Sequence, residues 1–88
     1  MKEKETLLQF PCVYPLKVIG TNTGELLAKV SAVVEKHVAK GCDVTYSTRV
    51  SSGDKYLSVT ATFQAESHEQ LKAIYEELGR HPLILVTL

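Results

Sequence analysis

The chain has no excess of charge of either sign, because ten Lys and Arg residues balance ten Asp and Glu residues. A protein that binds nucleic acid normally carries a basic surface, so this balance argues against such a partner. The sequence also lacks an apolar run near the roughly 20 residues that cross a bilayer. Its charged start, Met1–Glu5, is not followed by the apolar segment of a secretory leader. We therefore expect one cytoplasmic domain over residues 1–88, with no nucleic acid and no membrane among its partners.

Cysteine is scarce as well. Cys12 and Cys42 are the two cysteines of the chain, and without a secretory leader we expect them to be reduced. Together with His37 and His68 they are the residue types that bind zinc, but they lack the closely paired spacing of zinc ligands. We therefore expect two half-buried thiols that pack as small apolar groups, and no metal or other cofactor.

Known catalytic patterns are missing. The segment Gly20–Gly24 has neither the arginine of an acylphosphatase-type site nor the C-x-x-C of a copper chaperone. No side chain looks like a nucleophile paired with a base, so we predict that the protein is not an enzyme.

What the sequence does contain is a complete series of periodic segments. The predicted elements, in chain order, are a strand at Leu16–Gly20, a helix that ends near Ala39, strands at Asp43–Val50 and Tyr56–Ala65, a helix at His68–Leu78, and a strand at Leu83–Leu88. This order is the split βαβ pattern of the α+β, ferredoxin-like βαββαβ two-layer sandwich. We predict a four-stranded antiparallel sheet in the order 4-1-3-2, with both helices on one face and residues 1–13 as an extended lead-in.

The helix boundaries have recognisable signals. Asn22 and Glu25 resemble a capping box for the first helix, and Ser67 and Gln70 resemble one for the second. Gly41 is predicted to end the first helix. The apolar stripe of the first helix is predicted to be Leu26, Leu27, Val30, Val33, Val34 and Val38.

One candidate site lies at the end of the fold where the first helix begins. The amides at a helix N-terminus and the positive end of its dipole favour an anion or a carboxylate. The candidate ligand-binding residues there are Thr21, Asn22, Thr23, Gly24, Lys55 and Arg80. The alternative is that Asn22 caps the helix and the glycines only shape the turn.

A second candidate is the sheet face that no helix covers. RNA-binding relatives of this fold carry stacking aromatic residues on the central strands, whereas this chain has Ser, Thr, Lys and Ile there. The last strand is apolar on both faces, which suggests that its outer side is either paired with another chain or partly covered. The candidate residues for contact with a protein partner, or with a second copy in a homodimer, are Lys17, Ile19, Arg49, Thr60 and Leu85.

Three segments together carry a family pattern: YPLKVIG at Tyr14–Gly20, the hairpin Ser51–Gly53 followed by Tyr56, Ser58 and Val59, and YEELG at Tyr75–Gly79. Together they resemble the YbeD family of small bacterial proteins of unknown function. The resemblance implies a ferredoxin-like fold similar to the ACT regulatory domains, which bind amino acids in allosteric enzymes. It carries no catalytic residues.

The start of the first predicted helix partly resembles the corresponding segment of ACT domains. Those domains often open the first helix with Asp and then Pro-Gly-x-Leu. Here Gly24 and Leu26 match, while Thr21 and Thr23 stand where Asp and Pro are common. Genes of the resembled family often lie beside a gene for a lipoate-biosynthesis octanoyltransferase, so the resemblance also implies a link to lipoate metabolism.

These observations give two functional hypotheses. The first is a non-enzymatic regulatory or adaptor module that acts through protein–protein contact. The alternative is an ACT-type sensor of a small ligand, such as an amino acid or another carboxylate, that uses the Gly20–Gly24 loop.

Overall fold

The computed structural model of the chain describes residues 9–87. Its elements are β1 (Cys12–Thr21), α1 (Gly24–His37), β2 (Thr45–Val50), β3 (Tyr56–Ala65), α2 (His68–Leu78) and β4 (Ile84–Thr87). The strands form an antiparallel sheet in the order β2-β3-β1-β4. This is the predicted order read from the other edge, so the predicted ferredoxin-like topology is confirmed.

Alternating burial along β1 and β3 shows which side of the sheet is covered. Leu16 and Val18 of β1 are fully buried, as are Val59 and Ala61 of β3, whereas Lys17 between them is exposed. The buried rows pack under the two helices, whose inward residues include Val30 of α1. One face of the sheet therefore contributes to the core, and the other is left without a helix.

The first strand begins four residues before the predicted Leu16. Residues 1–13 were predicted to be an extended lead-in, but β1 begins at Cys12, and Pro15 lies inside the strand opposite Thr62 of β3. Among the described residues, β4 pairs with Val18–Gly20, so Pro15 lies where β1 has β3 as its one described neighbour and a missing backbone N–H is tolerated. The extended lead-in is therefore shorter than predicted, and its residues 1–8 lie outside the described part.

The start of α1 differs from the prediction. Its N-cap is Thr23, and that side chain makes no capping hydrogen bond. Asn22, the predicted cap, instead donates from Nδ2 to the carbonyl of Asp54 at 2.9 Å. This amide therefore ties the start of the helix to the β2–β3 hairpin, a long-range contact that competes with local capping.

The end of α1 and its apolar stripe also differ from the prediction. The helix ends at His37 rather than Ala39, because Val38 takes an extended conformation. Gly41 lies beyond the helix, in the connection to β2, with φ +84. Leu27 was predicted to be in the core but is 38% exposed.

The second half of the chain follows the prediction closely. Both β3 and α2 have the predicted bounds. Ser67 Oγ accepts a hydrogen bond from the backbone N–H of Gln70 at 3.1 Å, while Gln70 Oε1 accepts from the backbone N–H of Glu66 at 2.8 Å. The last strand starts at Ile84, one residue after the predicted Leu83, and Leu88 lies outside the described residues.

Candidate functional site

The loop at the start of α1 meets the two segments predicted to lie beside it. The backbone N–H of Thr21 donates to the carbonyl of Leu83 at 3.0 Å, and that of Asn22 donates to the carbonyl of Lys55 at 3.1 Å. The Thr23 N–H donates to the Thr21 carbonyl at 2.8 Å. These bonds bring the loop, the hairpin and the approach to β4 together, as the topology predicts.

Several of the candidate ligand-binding groups already have structural roles. The amide of Asn22 is held by Asp54, and Lys55 contacts the loop through its carbonyl rather than its ammonium group. The side chains of Lys55 and Arg80 are exposed, and Arg80 donates through its backbone N–H to the Glu77 carbonyl. The buried hydroxyl of Thr23 has no hydrogen-bond partner among the described residues.

The uncovered face of the sheet, which we call the open face, is formed by residues that alternate with the core rows. Paired residues share a face, so one row crosses all four strands: Arg49, Ser58, Ile19 and Val86. The next row is Ser47, Thr60 and Lys17. Lys17, Ile19, Arg49 and Thr60 thus lie on the face where the sequence placed them.

Lys17 and Arg49 stand on either side of β3. Two shallow depressions, of about 420 and 400 Å³, are each lined by Lys17, Arg49 and Ser58. Both basic side chains are exposed, and Ser58 is half-buried between them. The depressions are open to solvent, so this surface can accept an anionic group without enclosing it.

An apolar area adjoins this basic pair. Tyr56, Leu85 and Val86 are 46%, 54% and 44% exposed, respectively. Val86 pairs with Ile19, while the pairing shifts between Ile19 and Gly20 and leaves Leu85 as the extra residue of a β-bulge.

Of these three residues, Leu85 was predicted as a contact residue, whereas Tyr56 and Val86 were not. Tyr56 was predictable, because it has the same parity as Ser58 in β3. The face on which Val86 lies was not predictable. In a strand that is apolar on both faces, the alternation of residue types does not reveal a bulge.

The opposite end of the fold contains the cysteines. Both are free thiols and half-buried. Within residues 9–87, no group of three or more His, Cys, Asp or Glu side chains is placed to hold a metal ion. His68 packs its ring edge-to-face against Phe10 at 4.8 Å between centroids.

His37 belongs to a polar bridge between the helices. Its Nε2 lies 2.9 Å from Glu77 Oε1, and Lys36 Nζ donates to Glu77 Oε2 at 2.6 Å. The Lys36 ammonium and the His37 ring lower the pKa of Glu77 from 4.5 to about 2. The carboxylate is therefore ionised at neutral pH and joins α1 to α2.

Tyr46 and Tyr75 are held in their protonated form. The hydroxyl groups of Tyr14 and Tyr75 are 2.8 Å apart, and Tyr46 donates to Glu35 Oε2 at 2.9 Å. Burial raises the pKa of both Tyr75 and Tyr46, and these hydrogen bonds raise it further. A phenol with a raised pKa is a weaker acid and stays protonated at neutral pH, so these groups serve as hydrogen-bonding links.

Neither helix in residues 9–87 is both long and apolar enough to cross a bilayer.

Solved structures with similar folds include two informative examples. The solution structure of protein HP0495 from H. pylori matches with a TM-score of 0.75 and 15% identity, covering 92% of this chain and 85% of that one. The ACT domain from the GTP pyrophosphokinase of Chlorobium tepidum matches with a TM-score of 0.66 and 9% identity, covering 88% of this chain and 83% of the domain. At these identities the likeness concerns the fold, and it confirms the predicted ACT-like arrangement.

Relatives in sequence come from bacteria. A UPF0250 protein of Pectobacterium carotovorum is 42% identical over 89 aligned positions and covers 100% of both chains. A UPF0250 protein of Chromobacterium violaceum is 35% identical over 86 residues, covering 98% of this chain and 97% of its own length. The family model described as "Protein of unknown function (DUF493)" matches residues 5–88. The resemblance to the YbeD-like proteins is thereby confirmed, and the chain belongs to the DUF493, or UPF0250, family.

Proposed function

We propose that the protein is a non-enzymatic regulatory or adaptor module of the cytoplasm that acts by binding another protein through its open face. The observation that carries this proposal is the row Arg49, Ser58, Ile19 and Val86, which crosses all four strands without a covering helix. Exposed Tyr56 and Leu85 extend its apolar part. Contiguous apolar surface beside polar groups is typical of a protein contact.

An NMR titration with fractions of a cell extract tests the proposal. We expect the amide signals of Ile19, Arg49, Thr60 and Leu85 to broaden in protein fractions. Val86→Lys should abolish the broadening, because it puts a charge into the apolar row. Leu27→Lys is the matched control, since Leu27 is 38% exposed on α1 and Val86 is 44% exposed on β4.

Two results would contradict the proposal. One is an unchanged spectrum of the open face in every protein fraction. The other is equal loss of the effect in the Leu27→Lys control, because contact would then not depend on the sheet.

A second candidate is an ACT-type sensor of an amino acid or another small carboxylate. The observation that favours it is the buried Thr23 hydroxyl at the N-terminus of α1, which lacks a partner among the described residues. A bound carboxylate would accept hydrogen bonds from this hydroxyl group and from the adjacent helix amides. The structural likeness to an ACT domain supports the same placement by analogy of fold.

A ligand panel separates the two candidates. We would add amino acids and lipoyl-type acids, the latter because of the lipoate link that the resemblance implies. A sensor predicts NMR shifts confined to Gly20–Gly24, Ser51–Lys55 and Arg80. A Cβ at Gly24 would meet no atom within 4 Å, so Gly24→Trp should block the ligand and leave the fold intact. Ligand binding that survives this change would exclude the loop as the site.

A further inference from the structure

The charges of the four strands are all of one sign. Lys17 in β1 and Arg49 in β2 are their charged residues, and no Asp or Glu occurs in any strand of the described structure. The acidic residues within residues 9–87 lie in the helices and in the connections between elements. A chain without net charge therefore presents a basic sheet face.

The side chains of Lys17 and Arg49 line the same depressions of the open face. Lys17 pairs with Thr60, and Arg49 pairs with Ser58, two residues earlier in the strand between them. With neighbouring strands about 4.8 Å apart, the two Cα atoms are separated by roughly 12 Å. Long flexible side chains span this distance, and both line the depressions floored by Ser58. An anion above Ser58 can reach both cations and its hydroxyl group.

The neighbouring apolar residues indicate what carries the anion. Ile19 is the next open-face residue after Lys17, and it pairs with Val86 on the outer strand. Tyr56 lies diagonally across from Ile19, in the register set by Thr21. A small free anion would contact only the open, solvated depressions, where salt screens its charge. An extended polypeptide can place a carboxylate on the basic pair and an apolar side chain on Ile19 and Val86 together.

The same charges disfavour a second copy as the occupant. A symmetric dimer through the open face would bring two copies of the Lys17 and Arg49 pair into one interface. Like charges brought together at an interface oppose association. Within residues 9–87, no strand offers a carboxylate to neutralise them.

We infer that the open face binds an acidic, extended segment of a different protein, with its carboxylates at Lys17 and Arg49 and an apolar side chain on Ile19 and Val86. This inference rests on the proposed function and specifies the chemistry of the partner.

A defined peptide pair tests it by fluorescence anisotropy. One labelled peptide is built from glutamate, leucine and serine, and its twin has glutamine for every glutamate. At about 20 mM salt, where screening is weak, we expect the acidic peptide to bind roughly tenfold more tightly than the twin, and the advantage to shrink at about 200 mM. Amide shifts should centre on Lys17, Ile19, Arg49 and Ser58.

Matched charge reversals locate the effect. Lys17→Glu with Arg49→Glu should weaken binding of the acidic peptide about tenfold or more. Lys29→Glu with Lys72→Glu changes the net charge equally at exposed helix positions, and binding should stay within about twofold. Lys17→Gln with Arg49→Gln, checked for folding by circular dichroism, gives a milder second variant that should also bind less.

Three results would overturn the inference. Equal binding of both peptides to the open face would exclude the acidic partner but keep the proposed module, because contact would then rest on the apolar row. Equal loss of binding in the helix control would show general charge attraction. Displacement of the peptide by inorganic phosphate at millimolar concentration would show a small-anion site. Failure of the module itself is a separate result, namely an open face that no protein fraction perturbs.

Discussion

A pair of glycine substitutions tests the packing that sets β4 beside β1. A Cβ at Gly20 would lie 2.4 Å from the carbonyl oxygen of Leu83 and 2.9 Å from a methyl group of fully buried Leu26. The Leu83 carbonyl accepts the hydrogen bond from Thr21, so it cannot retreat without disturbing the link to β1. Gly20 is therefore required by close approach.

The expected loss follows from these contacts. Overpacking a filled site costs about 1–3 kcal/mol, and a weakened backbone hydrogen bond adds about 0.5–1.5 kcal/mol. The smaller entropy of an alanine-containing unfolded chain offsets roughly 0.4–1 kcal/mol. We expect Gly20→Ala to lower the free energy of unfolding by about 2 kcal/mol, since these terms partly cancel.

Gly24→Ala makes the same chemical change where there is room. Its Cβ would meet no atom within 4 Å, and Gly24 is the first residue of α1. We expect it to raise the free energy of unfolding by about 0.4–1 kcal/mol. Urea unfolding followed by circular dichroism measures both. A Gly20→Ala protein as stable as the parent, or a reversed order of the two variants, would refute the close approach of β4.

Three further changes probe the core, the tyrosine pair and the helix bridge. Phe63 is 2% exposed, so Phe63→Ala should lower the free energy of unfolding by roughly 3–5 kcal/mol; a loss under ~1 kcal/mol in urea unfolding would contradict its place in the core. Tyr14→Phe removes the hydroxyl bonded to Tyr75 and should cost about 0.5–1.5 kcal/mol by the same measurement, whereas an unchanged midpoint would count against that bond. The folded-state pKa of Glu77, about 2, lies below its ordinary value of 4.5, so its stabilising effect is complete above pH 4.5 and is lost as the pH falls toward 2. Urea midpoints at pH 5 and 3 should therefore differ less in Glu77→Gln than in the parent, while Glu76→Gln, exposed on the same helix, should keep the parental difference; equal pH responses in both variants would refute the assignment to Glu77.

The sequence predicted the elements whose local signals agree with their tertiary surroundings. In β3 the apolar and polar residues alternate without interruption, and in α2 the capping pair Ser67 and Gln70 marks the start, so both ranges were predicted correctly. The start of β1 was missed because the prolines at positions 11 and 15 predicted only an extended lead-in. Pro15 lies outside the described pairing with β4, so its missing N–H is tolerated and the segment pairs with β3. The cap of α1 was missed because Asn22 bonds to a residue 32 positions away.

Some residues of the open face were also predictable from the sequence, and others were not. Lys17 could be placed from its alternation with the buried residues Leu16 and Val18 of β1. Arg49 could be placed because it alternates with Tyr46, Thr48 and Val50 in β2, although no residue of that strand is fully buried. Val86 could not, because its side depends on the bulge at Leu85. Parity in a strand that is apolar on both faces does not identify the outward side.

The charges on the sheet have a role in folding as well as in recognition. Acidic residues are generally depleted from strands, and a charged residue such as Arg49 on the edge strand β2 protects a sheet against unwanted pairing. A short, bulged β4 protects the other edge in a similar way. Lys17 lies in β1 just before Val18, the first residue that pairs with the described part of β4, so a charge there also protects an unpaired stretch of strand. Edge protection does not account for its neighbours, because Lys17 lies beside Ile19 and across β3 from Arg49, an arrangement that the inferred recognition uses.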